Sequence, residues 1–488
     1  MSNPLHRSPL LSGLFFVFCL LAFLPHVEAG NPLPASVKRA LNKAGISEQS
    51  LALVVLPLSG SGKARLFNAG KSMNPASTMK LVTTYAALEL LGPTYQWKTE
   101  IYSDGVLKNG VLSGNLYLKG GGDPKLNLER LWLLLRDLKT SGVERVTGDL
   151  ILERNYFNPP NLPSFDDDGG DPLRPFLVEP DALLINFKAV RLNVRAADGK
   201  VHLMMDPPLA SVPMINQVKL LPTRAPCPNP VVGFHLVQQE GTPSLLVRGQ
   251  LTEGCSAEFY LSLLDHPNYA FAAVRALWQE MGGQISGRNR LSETPANARL
   301  LSRTFSPDLV EIIRDINKYS NNTMARQLFL SLGAQFRLAS DKDDGAAANR
   351  VIRTWLGKKG IKIRHLVMEN GSGLSRNERV SAEEMAAILR AAWQSPYSAE
   401  FISSLPLAAM DGTMRRRLRG TALAGQAHLK TGTLNNARAV AGFSRDRNGR
   451  NWVVVAMVND PKPWNASTVL DQVLVDLYQQ KSTATAKR

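Results

Sequence analysis

The sequence is poor in the residues that hold metals and redox centres. Three cysteines stand in 488 residues, and they form no cluster with the spacing of a metal site. The seven histidines are isolated, and no His-Glu-x-x-His occurs, which removes the common zinc-peptidase pattern. A Walker loop is absent. So is Gly-x-Ser-x-Gly, the elbow that presents the nucleophile in Ser-His-Asp hydrolases. No internal repeat is present. Neither a metal nor any other cofactor is expected. Negative charge is also in short supply: 41 acidic residues face 57 basic ones, for a net charge of +16.

What is there begins with a distinct N-terminus. Arg7 precedes an apolar run from Leu10 to Leu24, and Val27-Glu28-Ala29 follows it. This is the pattern of a secretory leader, expected over residues 1–29 and cleaved near Ala29. The run is shorter than the ~20 apolar residues of a spanning helix, and Pro25 closes it. Phe16-Val17-Phe18 before Cys19 lacks the small residues of a lipidation site. An exported, periplasmic chain is therefore expected, with Cys227 and Cys255 left as a natural disulfide pair worth a few kcal/mol. Export removes nucleic acid as the partner of the basic residues. An acidic polymer and a peripheral contact with an anionic membrane surface remain. The basic residues are scattered, and the one dense cluster, Arg415-Arg416-Arg417 with Arg419, reads as a solvated face.

Composition, 44% hydrophobic and 20% charged, supports sizeable cores and excludes global disorder. A helix is expected over Ala35–Ala44, strands over Ser50–Leu56 and Ala64–Asn68, and a turn at Ser59-Gly60-Ser61-Gly62. Asn74 is a plausible N-cap, with Pro75 at the first position of a helix that Gly92-Pro93 ends. From Trp97 to Leu264 the texture turns β-rich, with Pro- and Gly-rich stretches at 158–175 and 222–230. Helices return at Tyr269–Gly282, Asp308–Leu332, Gly345–Lys358 and Ala382–Gln394. Strands at His428–Thr433, Ala437–Ser444 and Trp452–Asn459 and a helix near Ser467–Gln480 complete the chain. The pattern implies an α/β (α+β) domain made of 30–96 with 265–488, split by one or two β-rich modules over 97–264.

Three short motifs carry chemistry. Ser77 and Lys80 are three apart at a helix start, so hydroxyl and amine share a face and can meet. A serine needs a base to become a nucleophile, and a lysine can be that base when burial lowers its pKa. The helix start also offers free N–H groups for an oxyanion. Ser320-Asn321-Asn322 lies on the Asp308–Leu332 helical stretch. Lys430-Thr431-Gly432-Thr433 lies on a strand, where lysine can hold a carboxylate and glycine lets a ligand backbone approach. The three in this order are a close relative of the signature of penicillin-binding proteins and class A β-lactamases.

Over nearly its whole mature length the sequence resembles the class C low-molecular-mass penicillin-binding proteins, the S13 D-alanyl-D-alanine carboxypeptidases/endopeptidases. Three further stretches match that family: Leu118 to Pro124, Asn370 to Arg376, and Gly412-Thr413-Met414 ahead of Lys430. The family usually has Asp where Asn370 stands. The resemblance implies a β-lactamase/transpeptidase-like domain with a large insertion between Ser77 and Ser320. It implies Ser77 as the residue acylated by the penultimate D-Ala carbonyl and Lys80 as its base. Ser320 and Asn322 would line the site and relay or position, and Lys430, Thr431, Gly432 and Thr433 would receive the terminal carboxylate. Backbone N–H groups of Ser77 and Thr433 would hold the oxyanion, and Arg376 would contact substrate. The implied partners are peptidoglycan stem peptides, with β-lactam antibiotics as covalent inhibitors. Tyr319-Ser320-Asn321 also spells the Tyr-x-Asn of class C β-lactamases. On a helix a one-residue shift turns a side chain by ~100°, so only one register can face Ser77; Ser320/Asn322 is preferred. A β-lactamase lacks support, since no Glu-x-x-Leu-Asn follows. A wall-binding module without turnover is disfavoured because Ser77, Lys80, Ser320, Asn322 and Lys430 are all present.

Overall fold

The computed structural model describes residues 32–480 apart from 59–61, 164, 166–172, 225 and 240–241. The leader expected over 1–29, with Cys19 and the Ala29 cleavage point, lies outside the described residues, as do residues 59–61 of the expected turn. No helix among the described residues is long and apolar enough to cross a membrane.

A five-stranded antiparallel sheet organises the two ends of the chain. Its order is Arg65–Phe67, Leu51–Pro57, Asn451–Asn459, Ala437–Arg445 and Ala427–Leu434. The central strands are nearly continuous apolar runs because both faces are covered. Ala52, Val54, Val453, Val455 and Met457 point into one core, and Leu51, Leu53, Val454, Ala456 and Val458 into the other. The second core is closed by α1 (Ala35–Ala44), whose Val37 and Leu41 sit one turn apart on its inner face. It is shared with the chain's last described helix, Ala466–Tyr478, which buries Val469, Leu470, Val473, Leu474 and Leu477. The first core surrounds α2 (Lys80–Leu91), buried on every side from Lys80 to Leu88 and ended at Gly92.

The inserted body has its own core and departs from expectation twice. First, α3 (Leu128–Thr140) is a full helix inside the stretch expected to be β-rich. Asn127 caps it by accepting from the Arg130 amide, and Leu131, Leu134, Leu135 and Leu138 form its buried stripe. Second, the packing of this body continues past the expected boundary at Leu264. Helix α4 (His266–Glu280), which overlaps the expected Tyr269–Gly282 helix, buries Tyr269, Phe271, Val274 and Trp278 in the inserted core. Strands Gln284–Ile285, Asn289–Leu291 and Arg299–Phe305 then pair with Arg145–Val146, Leu150–Glu153 and Lys98–Ser103. Three strands begun before residue 153 thus each gain one partner from residues 284–305, beside the pairings the earlier strands make among themselves. Cys227 and Cys255 form a disulfide within this body, Cys255 reaching its core.

Five helices follow: α5 (Leu309–Tyr319), α6 (Asn322–Gln335), α7 (Asp344–Lys358), α8 (Ala382–Trp393) and α9 (Ser398–Ser404). The stretch expected as one helix from Asp308 to Leu332 is broken at Ser320-Asn321. Ser320 takes a left-handed conformation (φ 57°), and the Asn321 side chain starts α6 by accepting from the Met324 amide. Gln327 of α6 ties this layer to the inserted body. It donates to the Gly122 and Asp181 carbonyls and accepts from the Asp181 amide.

Candidate active site

Ser77 lies on a short 3-10 turn, Ala76–Met79, that runs directly into α2. Ala76 before it has φ 46°, a region that costs a non-glycine residue about 1–2 kcal/mol and persists only where the surroundings impose it. Asn74 supplies much of that constraint. Its Oδ1 accepts from the Ala76 amide at 2.8 Å and its Nδ2 donates to the Ser375 carbonyl at 2.9 Å. Gly373 and Gly432 supply the rest by letting two backbones close in. A Cβ on Gly373 would stand 1.9 Å from the Ala76 carbonyl oxygen, and one on Gly432 would stand 2.6 Å from that of Pro75. The glycine of Lys430-Thr431-Gly432-Thr433 thus brings the edge strand against the nucleophile's turn.

The Lys80 ammonium is the hub. It donates to Ser77 Oγ at 3.1 Å, to Asn322 Oδ1 at 2.7 Å and to the Ser372 carbonyl at 2.5 Å. The side chain is 0% exposed. Burial pulls its pKa down to about 7, with Glu378 raising it in part and Arg326 lowering it further. A lysine there is half neutral near pH 7, which suits a base. Lys430 is also 0% exposed. Its ammonium donates to Ser320 Oγ and to the Thr431 carbonyl, both at 2.8 Å. Burial, and then the Lys80 charge, hold its pKa well below that of a free lysine.

The break between α5 and α6 distributes the Ser-Asn-Asn motif. Because Ser320 is not inside a helix, the 100° argument between registers does not apply to it. Ser320 reaches Lys430, Asn322 reaches Lys80, Asn321 is spent on capping α6, and Tyr319 is 67% exposed. We expect Asn322→Ala to slow acylation roughly 10–100-fold, the worth of a hydrogen bond to a charged group. Tyr319→Phe should change it less than about threefold. Stopped-flow acylation rates check this; a larger loss in the Phe variant would favour the Tyr319/Asn321 register.

On the edge strand Thr431 is half-buried and Thr433 exposed, both on the face opposite Lys430 and Gly432. Thr431 Oγ1 donates to Thr413 Oγ1 at 2.8 Å, so the Gly412-Thr413-Met414 stretch is in the site. Lys430 is buried beneath these threonines, its ammonium bonded to Ser320 Oγ and the Thr431 carbonyl. Arg376 borders this cluster through Phe165, which packs against Ala76, Leu434 and Ala437. It stacks over Phe165 at 6.0 Å and lines a cavity of about 780 Å³ that also borders Leu374, Arg326 and Lys188. Sequence reasoning gave no role to Glu378 or Arg326, and neither carries a motif signal; only burial beside Lys80 singles them out. Among the described residues no cluster could hold a metal ion.

Comparison with known proteins identifies relatives of this arrangement. A sequence model of the D-Ala-D-Ala carboxypeptidase 3 (S13) family matches residues 33–477. A D-alanyl-D-alanine carboxypeptidase of Actinomadura sp. is 29% identical over 394 residues, covering 77% of this chain and 71% of that protein. The D-alanyl-D-alanine carboxypeptidase DacB of Haemophilus influenzae is 26% identical over 404 residues, covering 80% and 82%. The crystal structure of penicillin binding protein 4 from H. influenzae matches with a TM-score of 0.73 at 22% identity, covering 91% of this chain and 99% of that one. A structure of the same protein complexed with a β-lactam matches with a TM-score of 0.69 at 23% identity, covering 92% and 100%. The fold is therefore the mixed α/β fold of those structures.

Proposed function

The chain belongs to the D-Ala-D-Ala carboxypeptidase 3 (S13) family and is a peptidase of that type; on that premise we propose that it cleaves peptidoglycan stem peptides through an acyl-enzyme on Ser77. The observation that carries this is Lys80, a buried amine with a pKa near 7 placed 3.1 Å from Ser77 Oγ. Neutral Lys80 takes the Ser77 proton as Oγ attacks the penultimate D-Ala carbonyl. The oxyanion rests on the backbone N–H groups of Ser77 and Thr433. Ser320, held by Lys430, passes the proton to the departing amine, and C–N cleavage leaves the ester on Ser77. Water then enters, loses its proton to Lys80 and releases the acid, restoring the Ser77 hydroxyl.

The carboxylate of the leaving D-Ala lies against Thr431, Thr433 and Thr413, in the field of Lys430 beneath. In a cross-linked substrate the leaving group is the side-chain amine of a diamino acid with its own carboxylate nearby, so the same site serves endopeptidase cleavage. A β-lactam presents a strained amide carbonyl and a carboxylate in a similar relation. The H. influenzae protein complexed with a β-lactam supports binding of such compounds here. In this account residues 32–96 and 306–480 form the catalytic part, 97–305 the inserted body, and 1–29 a leader for export to the wall.

The test uses release of D-Ala from a D-Ala-D-Ala peptide and of monomer from a cross-linked pair. Lys430→Ala should lower kcat/KM on the free-acid peptide by at least roughly 30-fold, since truncating one partner of a desolvated charge pair costs about 2–5 kcal/mol. On the C-terminally amidated peptide the same variant should lose far less, because the carboxylate is already missing. Equal proportional losses would mean that Lys430 does not read that charge. Wild-type protein that releases neither D-Ala nor monomer would overturn the proposed function.

A further inference from the structure

Glu378 is 0% exposed, and it is not used by the mechanism above. Its Oε1 accepts three successive backbone amides, those of Glu369, Asn370 and Gly371, at 3.1, 3.0 and 2.8 Å. Its Oε2 is buried with no hydrogen-bond partner. An orphaned buried carboxylate oxygen is costly and calls for a reason. The clamped segment continues directly to Ser372, whose carbonyl accepts from Lys80. Thr83, three residues beyond Lys80 on α2, donates to the Gly371 carbonyl at 2.6 Å, fixing the segment to the same helix.

Charge makes the placement more specific. Lys80 is faced by Lys430 from the edge strand, by Arg326 from α6 and by Glu378 from the 369–378 segment. Arg326 lowers the Lys80 pKa and Lys80 lowers that of Lys430, while Glu378 raises Lys80 and, after Glu179, Arg326. Asn370 is neutral, and an Asp in its place would keep the two bonds its Oδ1 accepts while losing the one its Nδ2 donates. Its Oδ1 accepts from the Ser372 amide and hydroxyl, while its Nδ2 donates to the Leu374 carbonyl. The segment thus holds a single fully buried carboxylate, at 378.

We propose that Glu378 is the positioning residue of Lys80: it clamps the 369–371 backbone so that the Ser372 carbonyl meets the ammonium, and it places a negative charge beside Lys80 and Arg326. The inference rests on the proposed role of Lys80 as base. Burial pushes Glu378 above the usual carboxylate range, while the three amides and Lys80 pull it back. Its charge raises Lys80, so its removal should lower Lys80.

The test is the pH profile of benzylpenicillin acylation in Glu378→Gln, which keeps an acceptor oxygen and loses the charge. Activity rises as Lys80 loses its proton, so the acid limb should move to lower pH by about one unit, as for a lost opposite charge nearby. A folded Gln variant whose limb does not move overturns the inference, even if its rate falls. The double variant Asn370→Asp, Glu378→Gln returns a carboxylate to the segment and should bring the limb back towards the wild-type position. If the Gln variant does not fold, this double variant decides. Refolding with the wild-type limb supports the proposal; failure to fold, or a limb left displaced, assigns Glu378 to structure alone. Wild-type protein that is not acylated at all would instead remove the underlying function.

Discussion

Ser77→Ala is expected to abolish both D-Ala release and covalent penicillin labelling while leaving the fold intact. Loss of the nucleophile costs a serine peptidase on the order of 10⁶-fold in kcat. Stability should change by about 1 kcal/mol or less, because one moderate hydrogen bond is lost. Lys80 keeps Asn322 and the Ser372 carbonyl as acceptors, and the Asn74 bonds that hold the turn do not involve the Ser77 side chain. Thermal unfolding alongside turnover separates the two effects. An Ala variant that still accumulates a penicilloyl adduct would place the chemistry on another residue.

Lys80→Ala should remove acylation almost as completely, and Lys80→Arg should not restore it. The physical reason is protonation. Burial brings the Lys80 pKa to about 7, so a neutral amine is available near neutrality, whereas a guanidinium stays charged at any working pH. In the wild type the acid limb of the acylation profile should lie near pH 7, with activity falling as Lys80 takes up a proton. The Ala variant should also be less stable, because Asn322 Oδ1 and the Ser372 carbonyl each lose a charged donor. Leaving buried acceptors unpaired costs about 1–3 kcal/mol each. An Arg variant acylated at near wild-type rate would show that the position contributes only positive charge.

How much of this was legible in the sequence differs by kind of residue. Ser77, Lys80 and the 430–433 strand were legible because each motif residue has a local job: a helix start, an i,i+3 pair, a strand needing one glycine. The apolar run of Trp452–Asn459 announced a strand, and the structure covers it on both faces. The break at Ser320-Asn321 was not read. Its signal was present in a Ser-Asn-Asn run suited to capping, but the apolar periodicity of α5 continues in α6 and conceals it. Helix α3 was missed for the opposite reason, its Asn cap and leucine stripe being submerged in β-rich surroundings. The partners of the inserted strands lie more than 130 residues away in sequence, as with Leu150 and Asn289, and no local pattern reports such pairing. Glu378 was invisible because a single glutamate carries no mark of burial. Its role exists only once Lys80, Ser372 and the 369–371 amides are brought together.

The most direct test of the whole account is intact-mass spectrometry after incubation with benzylpenicillin, followed by peptide mapping. The account predicts one penicilloyl group per chain, carried by the peptide containing Ser77. An unlabelled protein that is otherwise folded, or a label mapped to any other serine, would contradict it.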